Sequence, residues 1–269
     1  MSVGSLGLVD RSSERASAYD GCAGQYANAR PSYPERAVRW LVGDEPVRVL
    51  ELGAGPGQMT EALLRAGHDV VALDRSAEML RQLAEHLEVP VARGVAERLP
   101  FHAGAFDVVV AAQSFHWFDP LRCLPEIARV LRTDGHLSLV WNTRDESVPW
   151  VRRLTSIIDA EPEDLDEIAD SLPLSGLFDL PATTSYGFWQ QLDLDALLDL
   201  VASRSSIAAR PPSERDAILR QVRGLYDSHA SGHNGLRMRY ATRCYRAVVH
   251  KDALNSPDAP GREFHVDLG

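Results

Sequence analysis

The sequence is poor in cysteine and lacks a hydrophobic run long enough to cross a bilayer. Cys22, Cys123 and Cys244 are odd in number and far apart, so they form neither a disulfide framework nor a zinc-ligand pattern. The longest apolar runs, such as Phe106 to Ala112, fall far short of the roughly 20 residues of a membrane-spanning helix. The amino terminus also lacks the charged-then-apolar order of a signal peptide. These absences predict a cytoplasmic protein without a membrane partner.

The sequence also lacks an excess of positive charge. Asp and Glu together number 38 and Lys and Arg number 28, which gives a formal net charge of -10. That average field would repel the phosphate backbone of a nucleic acid, so we expect a small-molecule partner instead. The hydrophobic content of 45% is enough for a substantial core, and 269 residues suit one large domain with an inserted or appended cap.

Short apolar strands alternate with amphipathic helices over residues 47–142. The strand candidates read, in chain order, VRVLEL, HDVVALD, VPVAR, FDVVVAA and GHLSLVWN. Between them, apolar residues recur at helical spacing, as at Met59, Ala62, Leu63 and Ala66. Strands that are apolar nearly throughout, separated by such helices, indicate a parallel sheet that is covered on both faces. We therefore predict a doubly wound, Rossmann-like α/β fold with a mostly parallel sheet.

The flanking segments complete the predicted organisation. Strand candidates at Thr183 to Trp189 and at Met238 to Val249 bring the sheet to seven strands. The stretch EPEDLDEIADSLPLSGLFDLP is acidic and broken by proline and glycine. The predicted parts are a flexible leader (1–19), an α/β core (20–150), a small helical cap with one strand (151–235), a closing strand of the core sheet (236–250) and a loose tail (251–269).

A glycine-rich turn, ELGAGPG, follows the first predicted strand. In open parallel sheets, ligands bind beyond the carboxyl ends of the strands, where this turn lies. The G-x-G-x-x-G spacing of dinucleotide-binding proteins is missing, because Gln58 stands three residues after Gly55. Glu51, at the start of the turn, would repel a phosphate about 4 Å away by roughly 4 kcal/mol at an effective dielectric near 20. A ligand with an ammonium or sulfonium group is favoured there.

A second acid, Asp74, ends the strand candidate HDVVALD. A carboxylate at that strand end accepts hydrogen bonds from both hydroxyls of a ribose. A ribose at one end, a cation at the other and glycine backbone between them describe S-adenosylmethionine. The alternative for the glycines is a tight strand-to-helix turn without a ligand, and the alternative for Asp74 is a cap on the next helix.

Several segments occur in a fixed order around this turn. They are YANARPSYP, ELGAGPG, LDRSAEML, GVAERLPF and FDVVVAAQSFHWFD. Together they resemble the class I S-adenosylmethionine-dependent methyltransferases, in particular the small-molecule and uncharacterised members that carry Y-x-x-x-R-P-x-Y-P and A-Q-x-F-H-W-F. The resemblance is strong over about residues 20–145. It implies S-adenosylmethionine as cofactor and methyl transfer to a small organic acceptor, with release of S-adenosylhomocysteine.

The resemblance also implies the contacts of the cofactor. They come from Tyr26, Arg30, Glu51, Gly53, Ala54, Gly55, Gly57, Asp74, Arg75, Met79, Ala96, Glu97 and Gln113. In this assignment Glu51 lies near the methionine amino group, Asp74 holds the ribose and Arg30 closes over the methionine carboxylate. One residue departs from the family pattern: many relatives have Asp, Ser or Thr where this chain has Val95. Adenine is therefore expected to be held by backbone groups and apolar packing.

The segment AQSFHWF follows a strand end, so its side chains are expected near the methyl group. His116 is the candidate catalytic base, since an imidazole titrates near neutrality, or else it belongs to an aromatic packing plug. The candidate substrate pocket consists of Phe115, Trp117, Trp141, Arg144 and Arg204. Either arginine can grip a carboxylate through two parallel hydrogen bonds, or it is a solvated surface residue. No metal is expected, because no Asp, Glu or His set has ligand spacing.

Three functions are compatible with the cofactor signal. The first is transfer of the methyl group to a small organic acceptor, with residues 150–235 as the lid that selects it. The second is a non-catalytic protein that binds S-adenosylmethionine or S-adenosylhomocysteine. The third, a nicotinamide dehydrogenase, is opposed by Glu51 and by the glycine spacing.

Overall fold

The computed structural model describes residues 30–158, 165–230 and 235–251. The described helices are α1 (Glu35–Val42), α2 (Gln58–Arg65), α3 (Ala77–His86), α4 (Pro120–Val130), α5 (Pro149–Ile158), α6 (Leu165–Leu174), α7 (Leu194–Ala202), α8 (Ser205–Ala208) and α9 (Pro212–His229). The described strands are β1 (Arg48–Leu52), β2 (Asp69–Asp74), β3 (Val91–Arg93), β4 (Phe106–Ala112), β5 (Leu131–Arg144), β6 (Ala182–Leu192) and β7 (Leu236–Val248). The predicted leader, and the tail beyond residue 251, lie outside the described residues.

The strands form one sheet in the order β3-β2-β1-β4-β5-β7-β6. The pairs β3-β2, β2-β1, β1-β4 and β4-β5 are parallel. The chain runs outward from β1 to β3 and then returns to β4 beside β1, so the strand order reverses between β1 and β4. In open parallel sheets this reversal opens a crevice at the carboxyl ends of the strands. The predicted doubly wound, seven-stranded α/β fold is confirmed.

Alternate residues of the central strands pack on opposite faces of the sheet. Val108 of β4 belongs to a buried cluster with Leu41 of α1 and Leu63 of α2. Its neighbour Val109 belongs to a second buried cluster, which contains Leu124 of α4. Burial of one such aliphatic side chain contributes about 1.5–3 kcal/mol. The nearly continuous apolar runs of the sequence therefore reflect a sheet that is covered by helices on both faces.

Two elements differ from the sequence prediction. Helix α6 occupies part of the acidic stretch that proline and glycine were expected to break. Pro173 lies in its last turn, where it interrupts little of the helix, and Leu165, Ala169 and Leu172 give it a buried stripe. Strand β5 begins at Leu131, four residues before the predicted start at Gly135.

The fold divides into two compact units. Among the described residues, the core unit comprises 32–143, 165–188 and 241–251. The accessory unit comprises 30–31, 144–158, 189–230 and 235–240. Within the accessory unit, α9 packs against α5 and α7 through its buried residues Ile218, Val222 and Leu225. In this division, residues 165–188 group with the core unit, whereas the sequence prediction placed them in the cap.

Candidate functional site

The glycine turn after β1 is shaped by backbone conformation. Gly53, Gly55 and Gly57 all have positive φ, at 68°, 56° and 101°. The amide of Gly53 donates to the carbonyl oxygen of Leu73 on β2 at 2.8 Å. A Cβ at Gly53 would lie 2.6 Å from the Cβ of Ser114, so this position excludes any side chain. The turn is thereby held close to the ends of both neighbouring strands.

Gly55 differs from Gly53 because a Cβ atom at Gly55 would not clash with a neighbouring residue. A Cβ at Gly55 would have no atom of the described residues within 4 Å, its chain neighbours aside. The glycine backbone therefore faces open space at the carboxyl edge of the sheet. A ligand can approach this backbone closely, and a side chain would obstruct it.

Asp74 ends β2 beside the turn and is only 9% exposed. One carboxylate oxygen accepts the amide of Gly55 at 2.9 Å, and the other accepts the amide of Ser76 at 2.8 Å. Burial raises the pKa of Asp74, and the backbone hydrogen bonds oppose that effect. Each carboxylate oxygen accepts more than one hydrogen bond, so both retain capacity for a donor from a ligand. Asp74 thus combines a structural role with two available acceptors.

Glu51 is almost completely buried in β1, one strand away from Asp74. Its carboxyl group accepts a hydrogen bond from the hydroxyl of Thr60 at 2.5 Å. Burial, with a smaller contribution from the charge of Asp74, raises the pKa of Glu51 to about 8 against the opposing effect of the Thr60 hydrogen bond. The expectation of a fixed negative charge at Glu51 is wrong, because a carboxyl group with a pKa of about 8 is mostly protonated at neutral pH. Its negative charge becomes stable only when a cation lies nearby.

The residues predicted to surround the adenine differ in their exposure to solvent. Met79 and Ala96 are buried, at 4% and 2% exposure. Arg75 is exposed, and its carbonyl oxygen accepts a hydrogen bond from Nε of Arg93 at 3.1 Å. Glu97 accepts the amide of Asp119 at 3.0 Å, at the start of α4. Glu97 is therefore engaged with a helix N-terminus, where a carboxylate is favoured, and is not simply solvated.

Gln113 follows β4 in a left-handed conformation, with φ of 57°. Its amide nitrogen Nε2 donates to the carbonyl oxygen of Asn142 at a long 3.4 Å. The side chain of Asn142 accepts from the hydroxyl of Thr242 at 2.7 Å and donates to the carbonyl oxygen of Ser32 at 3.3 Å. These contacts join the ends of β4 and β5 to β7 and to the start of the core unit.

Two polar residues of this edge were missed by the sequence argument. Ser114 is buried, and its hydroxyl donates to the carbonyl oxygen of Leu52 at 2.7 Å, directly against Gly53. Thr60 binds Glu51 from the first turn of α2. The role of Thr60 could have been predicted from the sequence. A hydroxyl in the first turn of a helix that follows a glycine turn can form a hydrogen bond with the preceding strand. Ser114 carried no such local signal.

The segment after Gln113 forms a short 3-10 helix, Phe115–Trp117. Phe115 is 1% exposed and packs edge-on against Phe118, with ring centroids 5.8 Å apart. The rings of His116 and Trp117 lie 4.7 Å apart. Burial lowers the pKa of His116 to about 4, so its imidazole is neutral at pH 7 and holds a proton weakly. This environment supports the packing role and makes His116 a poor general base.

Two members of the predicted substrate pocket belong to the hydrophobic core. Phe115 and Trp141 both lie in the large buried cluster under α4, and Trp141 packs edge-on against Tyr245 with ring centroids 5.9 Å apart. Trp141 is 1% exposed. The expectation that these two rings line the substrate pocket is wrong, because both side chains are directed into the hydrophobic core. Trp117 is half-buried and retains an accessible part.

The predicted arginines lie in the accessory unit. Arg30 contacts the carbonyl oxygen of Ser203 at 3.5 Å. Arg144, at the end of β5, is half-buried and its guanidinium Nε is inaccessible to solvent, so it is not a fully solvated surface residue. Arg204 is also partly buried. Tyr26 lies outside the described residues, so its predicted contact with the cofactor stays a prediction, as does that of Arg30.

Within residues 30–158, 165–230 and 235–251, no three His, Cys, Asp or Glu side chains come together as a metal ion would require. In the same part of the chain, no helix has the length and apolar character needed to cross a bilayer. Cys123 and Cys244 are buried free thiols.

Comparison with known proteins identifies the fold and its chemistry. The family described as "Methyltransferase domain" matches residues 50–139. An uncharacterized methyltransferase of Mycobacterium tuberculosis is 42% identical over 234 residues, which cover 86% of this chain and 95% of the relative. An uncharacterized methyltransferase-like protein of Schizosaccharomyces pombe is 34% identical over 205 residues, covering 72% of this chain and 79% of that protein.

Solved structures show the same architecture. A candidate type II methyltransferase of Anaeromyxobacter dehalogenans matches with a TM-score of 0.63 and 25% identity, covering 81% of this chain and 97% of that one. The YcgJ protein of Bacillus subtilis matches with a TM-score of 0.51 and 18% identity, covering 80% and 98%, and so supports the fold alone. The chain therefore belongs to the class I S-adenosylmethionine-dependent methyltransferases, enzymes that transfer a methyl group from this cofactor.

Proposed function

We propose that this methyltransferase acts on a small organic acceptor, and that the carboxyl edge of β1, β2 and β4 holds its cofactor. The observation that carries the site assignment is the hydrogen bond between Asp74 and the Gly55 amide, 2.9 Å long, beside open space above Gly55. Asp74 and Gly55 thus place a hydrogen-bond acceptor for ribose hydroxyls next to a segment of backbone that has no side chain. The residues present fit S-adenosylmethionine.

The other parts of the cofactor are assigned to residues along the carboxyl ends of β2, β1 and β4. Asp74 holds the ribose through the capacity of its two oxygens, and Glu51 lies toward the amino group of the methionine part. Met79 and Ala96 give an apolar flank to the adenine, as expected where Val95 offers no polar side chain. Gln113 lies at the methionine end. The other cofactor contacts that we propose within the core unit are Gly53, Ala54, Gly57, Arg75 and Glu97.

The chemical demands on the protein are modest. The sulfonium of the bound cofactor already activates the methyl group for transfer. The protein must align the acceptor with the methyl group and exclude water. His116 contributes packing to this task, since an imidazole with a pKa of about 4 does not retain the proton of an alcohol or phenol at neutral pH. Trp117, beside it, offers an aromatic surface to the acceptor.

The charge of the chain supports a small acceptor rather than a nucleic acid. A net charge of -10 disfavours the approach of a long polyanion. Free buried thiols at Cys123 and Cys244 agree with a reducing environment, and on that ground we propose a cytoplasmic location.

The size of the acceptor can be tested directly. The enzyme is incubated with methyl-labelled S-adenosylmethionine and a cell extract, and the products are separated by ultrafiltration. We expect the label in the small-molecule filtrate, with Asp74→Ala as the inactive control. Label that stays with retained nucleic acid or protein would show that the acceptor is a macromolecule.

The raised pKa of Glu51 gives a second prediction. Between its unfolded value of 4.5 and its folded value of about 8, the folded protein binds more protons than the unfolded chain, so the free energy of unfolding falls as pH rises. Glu51→Gln should remove this slope and raise the free energy of unfolding at pH 7 by on the order of 3 kcal/mol. Urea unfolding at about pH 5.5, 7 and 8.5 measures both effects.

The same group should couple cofactor binding to proton release. A cation beside Glu51 favours the carboxylate, so the affinity of the wild-type protein for S-adenosylmethionine should rise with pH up to about 8. Glu51→Gln should bind more weakly and without this pH dependence. Calorimetric titration in buffers of different ionisation enthalpy counts the released protons. Binding by the wild-type protein without proton release would contradict the placement of a cation near Glu51.

A further inference from the structure

Residues 94–98, between β3 and β4, form the turn that we propose beside the adenine. The amide of Arg98 donates to the carbonyl oxygen of Val95 at 3.2 Å, and the two residues pair as an isolated antiparallel bridge. The amide of Gly94 donates to the carbonyl oxygen of Asp74 at 3.0 Å. This adenine turn is therefore attached on one side to the residue that we propose for the ribose.

Two charged residues of α4 bind the chain directly after the adenine turn. Glu126 accepts the amide of Leu99 at 2.7 Å through Oε2. Arg129 donates to the carbonyl oxygens of Leu99 and Phe101, at 3.0 and 2.7 Å. The two side chains also bind each other, through Nε and Nη2 of Arg129 at 2.7 and 2.8 Å. One ion pair of α4 thus fixes the backbone of residues 99 and 101.

The Glu126–Arg129 pair takes the place of regular backbone structure in this segment. Residues 94–105 belong to no helix or strand, and Pro100 has no amide hydrogen to donate. The planar guanidinium group of Arg129 has donors in several directions, so it reaches two carbonyl oxygens and a carboxylate together. The hydrogen bond with Arg129 lowers the pKa of Glu126, so the pair is charged at neutral pH.

A further contact joins the adenine turn itself to the start of α4. Glu97 lies in the turn and accepts the amide of Asp119, the residue that caps α4. Glu126 and Arg129 lie in the second half of the same helix. The chain from residue 97 to residue 101 therefore follows α4 and is bound to it at both ends. Displacement of the turn would break contacts either with this helix or with β2.

We propose that Glu126 and Arg129 are positioning residues for S-adenosylmethionine, which keep the adenine turn in the place where the cofactor binds and do not touch the ligand. This inference rests on the proposed function for its claim that the adenine lies against the turn. A turn that is ordered before binding avoids the loss of conformational entropy that a mobile loop would undergo on binding. If the turn without this ion pair occupied its binding position about one tenth of the time, the affinity for the cofactor would fall about tenfold.

A comparable ion pair at the opposite edge of the sheet provides the control. Arg132 donates to the carboxylate of Asp107 at 2.5 Å, and the same carboxylate accepts the amide of Arg48 at 2.9 Å. Asp107 and Arg132 lie near the starts of β4 and β5, which are parallel, so both belong to the amino edge. Arg132→Met therefore removes an ion-paired arginine at a distance from the proposed cofactor site.

Binding of S-adenosylhomocysteine tests the proposal without an identified acceptor. The wild-type protein, Arg129→Met, Arg129→Lys and Arg132→Met are titrated calorimetrically, well below the melting temperature of each. There the folded fraction is close to one, so a loss of stability alone leaves the affinity unchanged. Arg129→Met should bind about tenfold more weakly than the wild type, and Arg132→Met should bind as the wild type does. Arg129→Lys keeps the charge without the planar fork and should have an intermediate affinity.

Hydrogen exchange followed by mass spectrometry locates the effect in the chain. S-adenosylhomocysteine should slow the exchange of amides in the adenine turn of the wild-type protein. In the absence of ligand, this turn should exchange faster in Arg129→Met than in the wild type, because the backbone after it has lost its contacts with α4. Arg132→Met should exchange there at the wild-type rate.

Several results would overturn the positioning role. One is wild-type affinity in Arg129→Met, and another is an equal loss of affinity in Arg132→Met. A third is a wild-type protein that binds S-adenosylhomocysteine with no change of exchange in the adenine turn. Failure of the wild type to bind this ligand would instead count against the proposed cofactor site. If Arg129→Met does not fold, Arg129→Lys is compared with Arg132→Lys, and equal affinities of these two would overturn the role.

Discussion

Gly55→Ala is expected to lower the affinity for S-adenosylmethionine by roughly 100-fold while leaving the protein folded. The added methyl group meets no described protein atom within 4 Å, chain neighbours aside, but it occupies the space through which we propose that the cofactor passes. Overpacking of this kind costs up to about 3 kcal/mol, which corresponds to about two orders of magnitude in affinity. Calorimetric titration with S-adenosylmethionine measures the loss.

The chain contains a matched control for this substitution. Gly67 also has a positive φ, 90°, and a Cβ there would likewise have no atom of the described residues within 4 Å, chain neighbours aside. It lies between α2 and β2, at the amino end of that strand and so at the opposite edge of the sheet. Both alanine variants should lose about 1–2 kcal/mol of stability from the left-handed backbone. Equal affinities in the two variants would refute the placement of the cofactor over Gly55.

Asp74→Ala is expected to have the second large effect, at least about 100-fold on cofactor affinity. It removes the two hydrogen bonds that we propose from the ribose hydroxyls to a charged acceptor, each worth about 1.5–3 kcal/mol. It also leaves the amides of Gly55 and Ser76 without their acceptor, which costs about 1–3 kcal/mol of stability for each donor that stays buried. Affinity and the free energy of unfolding should therefore fall together.

Asp193→Ala separates the two effects. Asp193 caps α7 in the accessory unit, and its carboxylate accepts the amide of Ala196 at 2.8 Å. Its loss should cost about 1 kcal/mol of stability, as for other helix caps, with unchanged affinity for the cofactor. If Asp74→Ala behaved in the same way, Asp74 would be a structural carboxylate only.

The parts of this fold that the sequence predicts are those with local causes. Strands β1, β2 and β4 are continuous apolar runs, and such runs occur where both faces of a sheet are covered. The glycine turn is equally local, because a positive φ at three positions within five residues demands glycine. The place of Asp74 at the end of its strand follows from the strand boundary alone.

The features that escaped prediction depend on distant packing. The protonation of Glu51 is set by its burial and by Thr60, and a formal charge in a sequence carries no information on either. Phe115 and Trp141 were assigned to the substrate pocket, but whether an aromatic side chain at a strand end faces a pocket or the core depends on the residues packed beneath it.

Gln113 combines backbone strain with a side-chain contact at the sheet edge. A left-handed backbone disfavours a residue with a Cβ by about 1–2 kcal/mol relative to glycine, and a 3.4 Å contact with Asn142 offsets little of that. Conformational energy is therefore stored in the backbone at residue 113. Glycine at this position would release that energy but would lose the side-chain contact with Asn142.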